Sequence, residues 1–482
     1  MTGSVDLLVL GGGPAGLAAA WRAALDGRSV TVLEQADRVG GMAASIEVGG
    51  IRADRGSHRL HPATPAPLLA DLRALLGEDL QTRPRNGRLQ VAQRWVGFPL
   101  RAGDLARSLP PALLARMALD AAHAPLRRPE DDTYAGLLRA SLGSALYETL
   151  YAPYALKLWG LPGERISGEQ ARKRVTADTP WKVAARILRG SVGRRGDGQG
   201  KVFHYPRRGF GQIVEALTQA ATDAGATIRT GATVEQVLAE PGGVTVHTAE
   251  GGHTSARWAF STLPLPVLAR LASPTPPPPV LEGASRLRFR AMLLVYLVVA
   301  PTAALLPGGA LRWTPFDAHY LPGGHTPVSR ISEPPNYRAS AADPLDRTLL
   351  CAEVPCDVGD ELWRTRDEEL AALVAETLAR SGLPPAPVLE IVVERLPHVY
   401  PIYEVGYERD LAALDAWAAQ LPSVTSFGRL GLFAHDNTHH ALTMAYEAVA
   451  ALGGADGAGG ADWDEAAWSS ARRRFATHVV ED

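Results

Sequence analysis

The segment at residues 5–35, VDLLVLGGGPAGLAAAWRAALDGRSVTVLEQ, restricts the fold of this chain more than any other stretch. An apolar run, a glycine turn, an alanine-rich stretch and a second apolar run predict a strand–helix–strand unit. Its glycines Gly11, Gly13 and Gly16 have the spacing G-x-G-x-x-G. In such a unit Gly11 makes the tight turn, Gly13 lets the backbone approach a pyrophosphate, and Gly16 lets helix and strand pack closely. The unit therefore predicts a dinucleotide site.

The acidic end of the second strand strengthens this prediction. Glu34 ends the second apolar run, where a carboxylate can accept hydrogen bonds from a ribose. The N-terminus of the helix presents unpaired N–H groups to the phosphates. The residues predicted to bind the cofactor in this unit are Gly11, Gly13, Pro14, Ala15, Gly16, Glu34 and Gln35.

Length, charge and hydropathy exclude several classes of protein. At 482 residues the chain is long enough for two lobes with a large buried core. A net charge of −2 gives no global field that favours nucleic acid or acidic membranes. The longest apolar run, at 291–306, is interrupted by Pro301 and is shorter than the roughly 18 residues of a membrane span, so it predicts a buried strand. We expect a cytoplasmic protein that binds no nucleic acid.

A second pair of glycines follows the first unit. The sequence ADRVGGMAAS places Arg38, Gly40 and Gly41 in a turn, which suits a two-part cofactor whose pyrophosphate crosses this loop. The combination resembles the family of FAD-dependent amine oxidases, protoporphyrinogen oxidases, phytoene desaturases and UDP-galactopyranose mutases. Members usually carry a basic residue after the diglycine, where this chain has Met42. The resemblance implies FAD as the cofactor and an α/β fold, in which a Rossmann-like FAD-binding domain of the glutathione-reductase type carries a mixed α+β substrate domain.

The resemblance extends along nearly the whole chain. In IRADRGSHRLHP, the residues Asp54, Gly56, Ser57 and His58 match a family segment whose backbone lies close to the flavin ring. Val234 resembles the valine whose backbone contacts the adenine. Thr262 follows a strand that leaves the sheet near the cofactor, and is the last residue assigned to this part of the site.

The implied domains are discontinuous. The FAD-binding domain takes residues 1–85, 203–272 and 423–482, and the substrate-binding domain takes residues 86–202 and 273–422. Within the second domain the sequence predicts a hairpin at 84–100, a helix-rich stretch at 101–190, and strands at RAMLLVYLVV, LLCAEV and VLEIVVERL with a helix at 367–381.

One element inside the helix-rich stretch has a narrower resemblance. Lys157, Trp159 and Gly160 resemble a KxWG element of a subgroup found beside sugar and polysaccharide enzymes. Lysine is rare here, since only four of the 49 basic residues are lysines and the rest are arginines. A position that keeps lysine can require its smaller ammonium group. The alternative is an ordinary helix with aromatic core contacts that ends at Gly160.

The stretch GRLGLFAHDNTHHALTMAYEAV is open to two interpretations. A metal site would use His435, Asp436, His439 and His440, but no other cluster in the sequence clearly completes a ligand set. We therefore predict no metal. The family resemblance implies a strand at 423–433, a polar turn, and a helix from about Ala441 whose N-terminus faces the flavin pyrimidine and stabilises negative charge there. Asp436 would then reach the ribityl or pyrophosphate region, His439 and His440 would lie beside the ring, and Ala441 would bind the cofactor at the start of the helix.

The chemistry has three possible forms. In the first, a small-molecule substrate loses two electrons at a C–N, C–C or C–O bond, with O2 as a possible acceptor. No lysine occurs after Lys201, so the lysine that many amine-oxidising relatives place near flavin N5 is missing. In the second, reduced flavin N5 attacks a nucleotide sugar, as in a mutase, for which arginines could bind the diphosphate: Arg55, Arg59, Arg330 and Arg338. The third is a partner protein without catalysis. The candidate catalytic residues are His58, Lys157, Tyr400 and His440, and the oligomeric state is left open.

Overall fold

The structure, a computed structural model, describes residues 4–98, 102–123, 126–175, 202–300, 304–305, 311–453 and 463–480. Its largest sheet has eight strands, and its centre is the unit at 5–35. Val5–Leu10 runs parallel to Val30–Leu33 on one side and to His253–Ser261 on the other. The remaining strands of this sheet are Thr227–Arg229, Val234–Glu240, Gly243–Thr248, Ala272–Ser273 and Val424–Ser426. The predicted strand–helix–strand unit is confirmed.

Helices cover this sheet through small side chains. Pro14–Leu25 is rich in alanine, and most of its residues are buried against the sheet and against Thr438–Ala451. Alanine allows close packing of helices and loses little conformational entropy in a helix. The other helices of this core are Ala66–Leu76, Gly211–Asp223 and Glu465–Ala476.

A second sheet has seven strands. The run predicted to be a buried strand forms Phe289–Val299, which is buried along nearly all of its length between Val388–Pro401 and Thr348–Cys356. The other strands are Arg330–Ser332, Ala318–Tyr320, Gly87–Val91 and Arg94–Phe98, and the last two form the predicted hairpin. Asp367–Arg380 packs on one face of this sheet and confirms the predicted helix.

The intervening segment is helical, as predicted, over its described residues. Its helices are Ala102–Ser108, Pro111–His123, Tyr134–Leu142, Ser144–Leu146, Ala152–Trp159 and Gly168–Val175, with a π-helical turn at Tyr147–Tyr151. Residues 176–190 of that prediction lie outside the described residues. Two small antiparallel strand pairs lie outside the two main sheets: Ser45–Val48 with Ile51–Asp54, and Leu80–Pro84 with Val202–Pro206. Further helices are Leu265–Leu271, Pro278–Arg286, Glu361–Arg364 and Tyr407–Ala418.

The C-terminal motif differs from its prediction in two respects. The strand is only Val424–Ser426, because Gly428 adopts φ +83 and a helical turn follows at Gly428–Gly431. The helix after the polar turn, Thr438–Ala451, begins at Thr438 and not near Ala441, because Asn437 caps it. Over the described residues, no helix is long and apolar enough to cross a bilayer. The two-domain division remains a prediction, and the separation of the strands into two main sheets agrees with it.

Candidate active site

The glycine turn is tightly packed on one side and open on the other. Gly11 adopts φ +105, and a Cβ there would stand 2.4 Å from Thr262 Oγ1. A Cβ on Gly16 would stand 2.0 Å from the carbonyl oxygen of Gly11, so the helix lies directly on the turn. By contrast, nothing lies within 4 Å of a Cβ built on Gly13. The space at Gly13 is where the backbone can approach a ligand.

The two glycine segments lie against each other. Gly40 N donates to the carbonyl oxygen of Gly12 at 2.7 Å, and a Cβ on Gly41 would lie 3.5 Å from Gly13 Cα. Gly13 is the N-cap of Pro14–Leu25, and no side chain caps its N–H groups. A cradle of glycines and helix N–H groups fits a pyrophosphate.

The acid at the end of the second strand is fixed by the backbone. Glu34 Oε2 accepts from Gly12 N at 2.7 Å, and Oε1 accepts from Ala36 N at 2.9 Å. Each carboxylate oxygen keeps a further lone pair for a ribose hydroxyl. Of the other residues predicted here, Gln35 and Arg38 are exposed, Met42 is half-buried, and Val234 begins its strand opposite Thr248.

The segment after the diglycine connects the two sheets. Asp54 Oδ1 accepts from Phe210 N at 2.8 Å, and Ser57 N donates to Glu353 Oε1 at 3.0 Å. Gly56 also lies beside that carboxylate, since its Cβ would be 3.5 Å from Glu353 Oε1. His58 stacks on Phe210 with ring centroids 5.2 Å apart, and burial lowers the pKa of His58. Its Nε2 lies 2.9 Å from the carbonyl oxygen of Arg55.

Each arginine named for a diphosphate has a carboxylate partner. The shortest N–O distances are 2.8 Å for Arg55–Glu394, 3.2 Å for Arg59–Asp317, 2.7 Å for Arg330–Glu353 and 2.6 Å for Arg338–Asp343. Tyr320 and Tyr337 surround Arg59, whose guanidinium lies over the ring of Tyr337 at 4.9 Å. Sequence reasoning missed these carboxylates and did not single out these tyrosines. The pairs of Arg55 and Arg59 join residues distant in the chain, whereas Asp343 lies only five residues after Arg338.

Lys157 does not face an open site. Its Nζ donates to the carbonyl oxygens of Leu321, Gly323 and Val328, the last two at 2.7 and 2.9 Å. These contacts use all three ammonium hydrogens and favour an anchoring role, while the catalytic role of Lys157 stays a prediction. Burial lowers its pKa to about 7, while three acceptors favour the charged form. The lysine fastens the loop at 321–328, and its neighbour Trp159 packs on Tyr134, as the structural alternative predicted.

Tyr400 contacts the C-terminal motif. Its ring stacks on His435 with centroids 5.6 Å apart, and the Arg429 guanidinium lies 5.3 Å from the centre of the Tyr400 ring. Arg429 donates to two carbonyl oxygens, those of Asp436 and Val399, at 2.7 and 2.9 Å. Burial lowers the pKa of His435 well below its ordinary value. The catalytic role of Tyr400 stays a prediction.

The helix Thr438–Ala451 starts beside the glycine cradle. A Cβ on Gly428 would lie 3.4 Å from Ala15 Cβ and 3.8 Å from Thr262 Cβ, which brings the C-terminal motif to the first glycine turn. Asn437 N donates to His440 Nδ1 at 3.3 Å, as part of a capping box. Ala441 is buried in the first turn of this helix.

The carboxylate of Asp436 contacts two histidines. Its Oδ1 lies 3.3 Å from His440 Nδ1 and 3.4 Å from His478 Nδ1. Burial raises the pKa of Asp436, but these imidazoles outweigh burial and hold it below its usual range. His478 was missed because it lies far along the chain. The structure brings this third potential ligand to Asp436 and His440, and the absence of a metal stays a prediction.

Known proteins support the flavin interpretation. The family described as "Flavin containing amine oxidoreductase" matches residues 14–408. A protein named as a flavin-containing monoamine oxidase of Mycobacterium tuberculosis is 29% identical over 57% of this chain, which spans only 60% of that protein's length. A coproporphyrinogen III oxidase of Propionibacterium freudenreichii is 24% identical over 86% of this chain and 84% of its own. The crystal structure of a reduced UDP-galactopyranose mutase has a TM-score of 0.79 and 20% identity, over 99% of this chain and 100% of that chain.

These similarities agree with the geometry of the site. The family match covers most of the chain, and the glycine cradle, the fixed Glu34 carboxylate and the adjacent helix N-termini suit a dinucleotide. The α/β fold with an FAD-binding domain is confirmed. The chain therefore belongs to the flavin-containing amine oxidoreductases, a family of FAD-dependent enzymes, and FAD is its cofactor.

Proposed function

We propose that this chain is an FAD-dependent oxidoreductase that dehydrogenates a small molecule at a C–N, C–C or C–O bond. The observation that carries the proposal is the pairing of Arg55, Arg59, Arg330 and Arg338 with carboxylates. Paired guanidinium groups are already neutralised, so they are poorly placed to bind the diphosphate of a nucleotide sugar. This favours redox chemistry over the mutase alternative.

The cofactor is proposed to lie in the glycine cradle. Gly13 and the adjacent Gly41 leave room for the pyrophosphate, and the N–H groups that begin Pro14–Leu25 face it. Glu34 is proposed to hold a ribose, because its carboxylate is already oriented by Gly12 and Ala36. When bound, FAD supplies a hydride acceptor.

The helix that begins at Thr438 is proposed to face the flavin with its backbone. Its N-terminal N–H groups favour negative charge nearby, which suits a reduced cofactor. The side chains of Asp436 and His440 contact each other and His478, so we assign flavin binding to the backbone and not to these two side chains. This changes the sequence-based assignment of both residues, and His440 is likewise no longer our candidate for catalysis.

The substrate is proposed to lie near an aromatic and internally neutral surface. Tyr320 and Tyr337 hydrogen-bond to Arg59, and Ser57 Oγ lies 2.5 Å from Tyr337 OH. Such a surface suits an uncharged or weakly charged molecule. His58 and Tyr400 remain the residues proposed to contact it. O2 as the electron acceptor and a cytoplasmic location are proposed with it.

An anaerobic reduction experiment tests the proposal. The purified, FAD-loaded protein is mixed without oxygen with a primary amine, coproporphyrinogen, a polyene and a nucleotide sugar, in separate cuvettes. Loss of the oxidised flavin absorbance with one of the first three, together with an oxidised product in equal amount, is the expected result. Turnover of the nucleotide sugar only after reduction by dithionite would instead support the mutase, and a folded protein that takes up no FAD would overturn both.

A further inference from the structure

Three potential ligand atoms lie close together near the start of the helix Thr438–Ala451. Asp436 precedes Thr438–Ala451, His440 lies in its first turn, and His478 follows Glu465–Ala476. Asp436 Oδ1 is 3.3 Å from His440 Nδ1 and 3.4 Å from His478 Nδ1, and one ligand atom from each residue falls within 4.8 Å of the others. The two imidazole rings are stacked, with centroids 4.1 Å apart and planes 16° apart.

The carboxylate in this group lacks hydrogen-bond partners. The Asp436 side chain is 1% exposed, and neither of its oxygens accepts a hydrogen bond from the described residues. His478 Nδ1 is also buried without such a bond. Burying an ionised carboxylate is strongly unfavourable unless a cation lies beside it, and here that cation is either a protonated imidazole or a metal ion.

The hydrogen bond at His440 identifies which form of the ring is present. Asn437 N–H points at Nδ1, so this nitrogen carries a lone pair and not a proton. A lone pair on Nδ1 and the carboxylate oxygen 3.3 Å away repel each other. A metal ion between them would take this lone pair from the 3.3 Å contact with Asn437 N and replace the repulsion with coordination.

The two distances from Asp436 to the imidazole nitrogens suit a tetrahedral ion. Tetrahedral zinc has bonds to nitrogen and oxygen of about 2.0–2.1 Å, which separates neighbouring ligand atoms by about 3.3 Å. Two imidazole nitrogens and one carboxylate favour zinc or a similar first-row metal over calcium or magnesium, which prefer oxygen ligands.

We propose that Asp436, His440 and His478 bind one zinc ion. The ion joins His478, which follows Glu465–Ala476, to the turn before Thr438–Ala451, and so holds the start of that helix in position. The same C-terminal segment is also tied by Val480 N, which donates to the carbonyl oxygen of Lys173 at 2.8 Å. The role is structural and requires no change in oxidation state. It does not depend on which substrate the flavin oxidises.

Metal binding to the FAD-loaded full chain tests the proposal. The protein is treated with a chelator, checked for retained flavin absorbance, and titrated with Zn2+ by calorimetry and with Co2+ by visible spectroscopy. One ion per chain is expected, with cobalt bands typical of a tetrahedral site and a raised melting temperature. His478→Ala should weaken Zn2+ binding by more than the about 10–100-fold that loss of an outer-shell partner produces.

His123→Ala is the matched control, because His123 is exposed on another helix and its ring contacts only the Leu119 carbonyl oxygen among the described hydrogen bonds. Asp436→Asn, which keeps the side chain's size, is the second variant and should also lose the ion. Should His478→Ala fail to fold, the wild-type titration and the cobalt spectrum decide alone. Absence of stoichiometric binding by the wild-type protein, or equal losses in His123→Ala and His478→Ala, would overturn the proposal.

Discussion

The ammonium group of Lys157 donates a hydrogen bond to the carbonyl oxygen of Val328 at 2.9 Å, and two further carbonyls of the same loop complete its partners. We expect Lys157→Met to lower the free energy of unfolding by about 3 kcal/mol, because a charge-assisted network is lost and carbonyl groups are left unsatisfied. Urea denaturation measures the change. Lys173→Met is the control, since among the described residues the Lys173 ammonium has only a 4.0 Å ion pair with Glu169, and its loss should change stability by much less. Equal effects of the two variants would contradict the anchoring role.

Gly13 allows cofactor binding and structural stability to be separated. Nothing lies within 4 Å of a Cβ at this position, so we expect Gly13→Val to leave the apoprotein's melting temperature nearly unchanged. The added side chain would occupy the cradle and weaken FAD binding by at least about 100-fold, since the backbone could no longer approach the pyrophosphate. Flavin fluorescence on titration measures this. Gly103→Val, also with nothing within 4 Å of its Cβ, should retain FAD. A Gly13→Val protein that binds FAD normally would place the cofactor elsewhere.

Acid should destabilise the protein partly through His319. Burial, together with the charge of Arg88, lowers the pKa of His319 from 6.5 to about 3. In the unfolded chain this imidazole is protonated below about pH 6.5, whereas in the folded chain it stays neutral down to about pH 3. The folded state is therefore progressively destabilised as the pH falls through this interval. In His319→Gln the slope of unfolding free energy against pH should be smaller by up to about 1.4 kcal/mol per pH unit. Denaturation at several pH values tests this, and identical slopes would refute it.

The Arg330–Glu353 pair should be strongly coupled. Glu353 is 3% exposed, and it accepts from Arg330 at 2.7 Å and from Ser57 N at 3.0 Å. Glu353→Gln should destabilise the protein by about 3–5 kcal/mol, because it leaves a guanidinium buried without its counter-ion. A double-mutant cycle with Arg330→Met gives the coupling energy. Additive effects would show that the pair is not a unit, and would make Arg330 available to an anionic substrate.

Local features of the sequence predicted the parts of the site that are local in space. The spacing of Gly11, Gly13 and Gly16 determines a turn whose two strands and helix lie within about thirty residues, so it could be read from one segment, although its contact with Thr262 could not. The sequence predicts the start of Thr438–Ala451 three residues too late, because a capping box with histidine at its third position differs from the usual glutamate or glutamine signature.

Features that depend on tertiary contacts could not be predicted in this way. Lys157 was singled out by composition, but its role depends on a loop at 321–328 that only the fold brings near. The carboxylate partners Glu353 and Asp317 are distant in sequence from Arg59 and Ser57, and nothing in a single sequence indicates such pairs. His478 follows the helix Glu465–Ala476. It contacts Asp436 only because this helix packs in the same hydrophobic core as Pro14–Leu25 and Thr438–Ala451.

The pairing of Val5–Leu10 with His253–Ser261 has a consequence for synthesis of the chain. The first strand is complete when the first ten residues exist, but its parallel neighbour emerges from the ribosome only after residue 261. Until then the strand exposes an unpaired edge, and Thr262 is not present to support Gly11. We therefore expect FAD to bind only after this strand is made, and until then the nascent N-terminal segment carries an exposed strand edge that can aggregate.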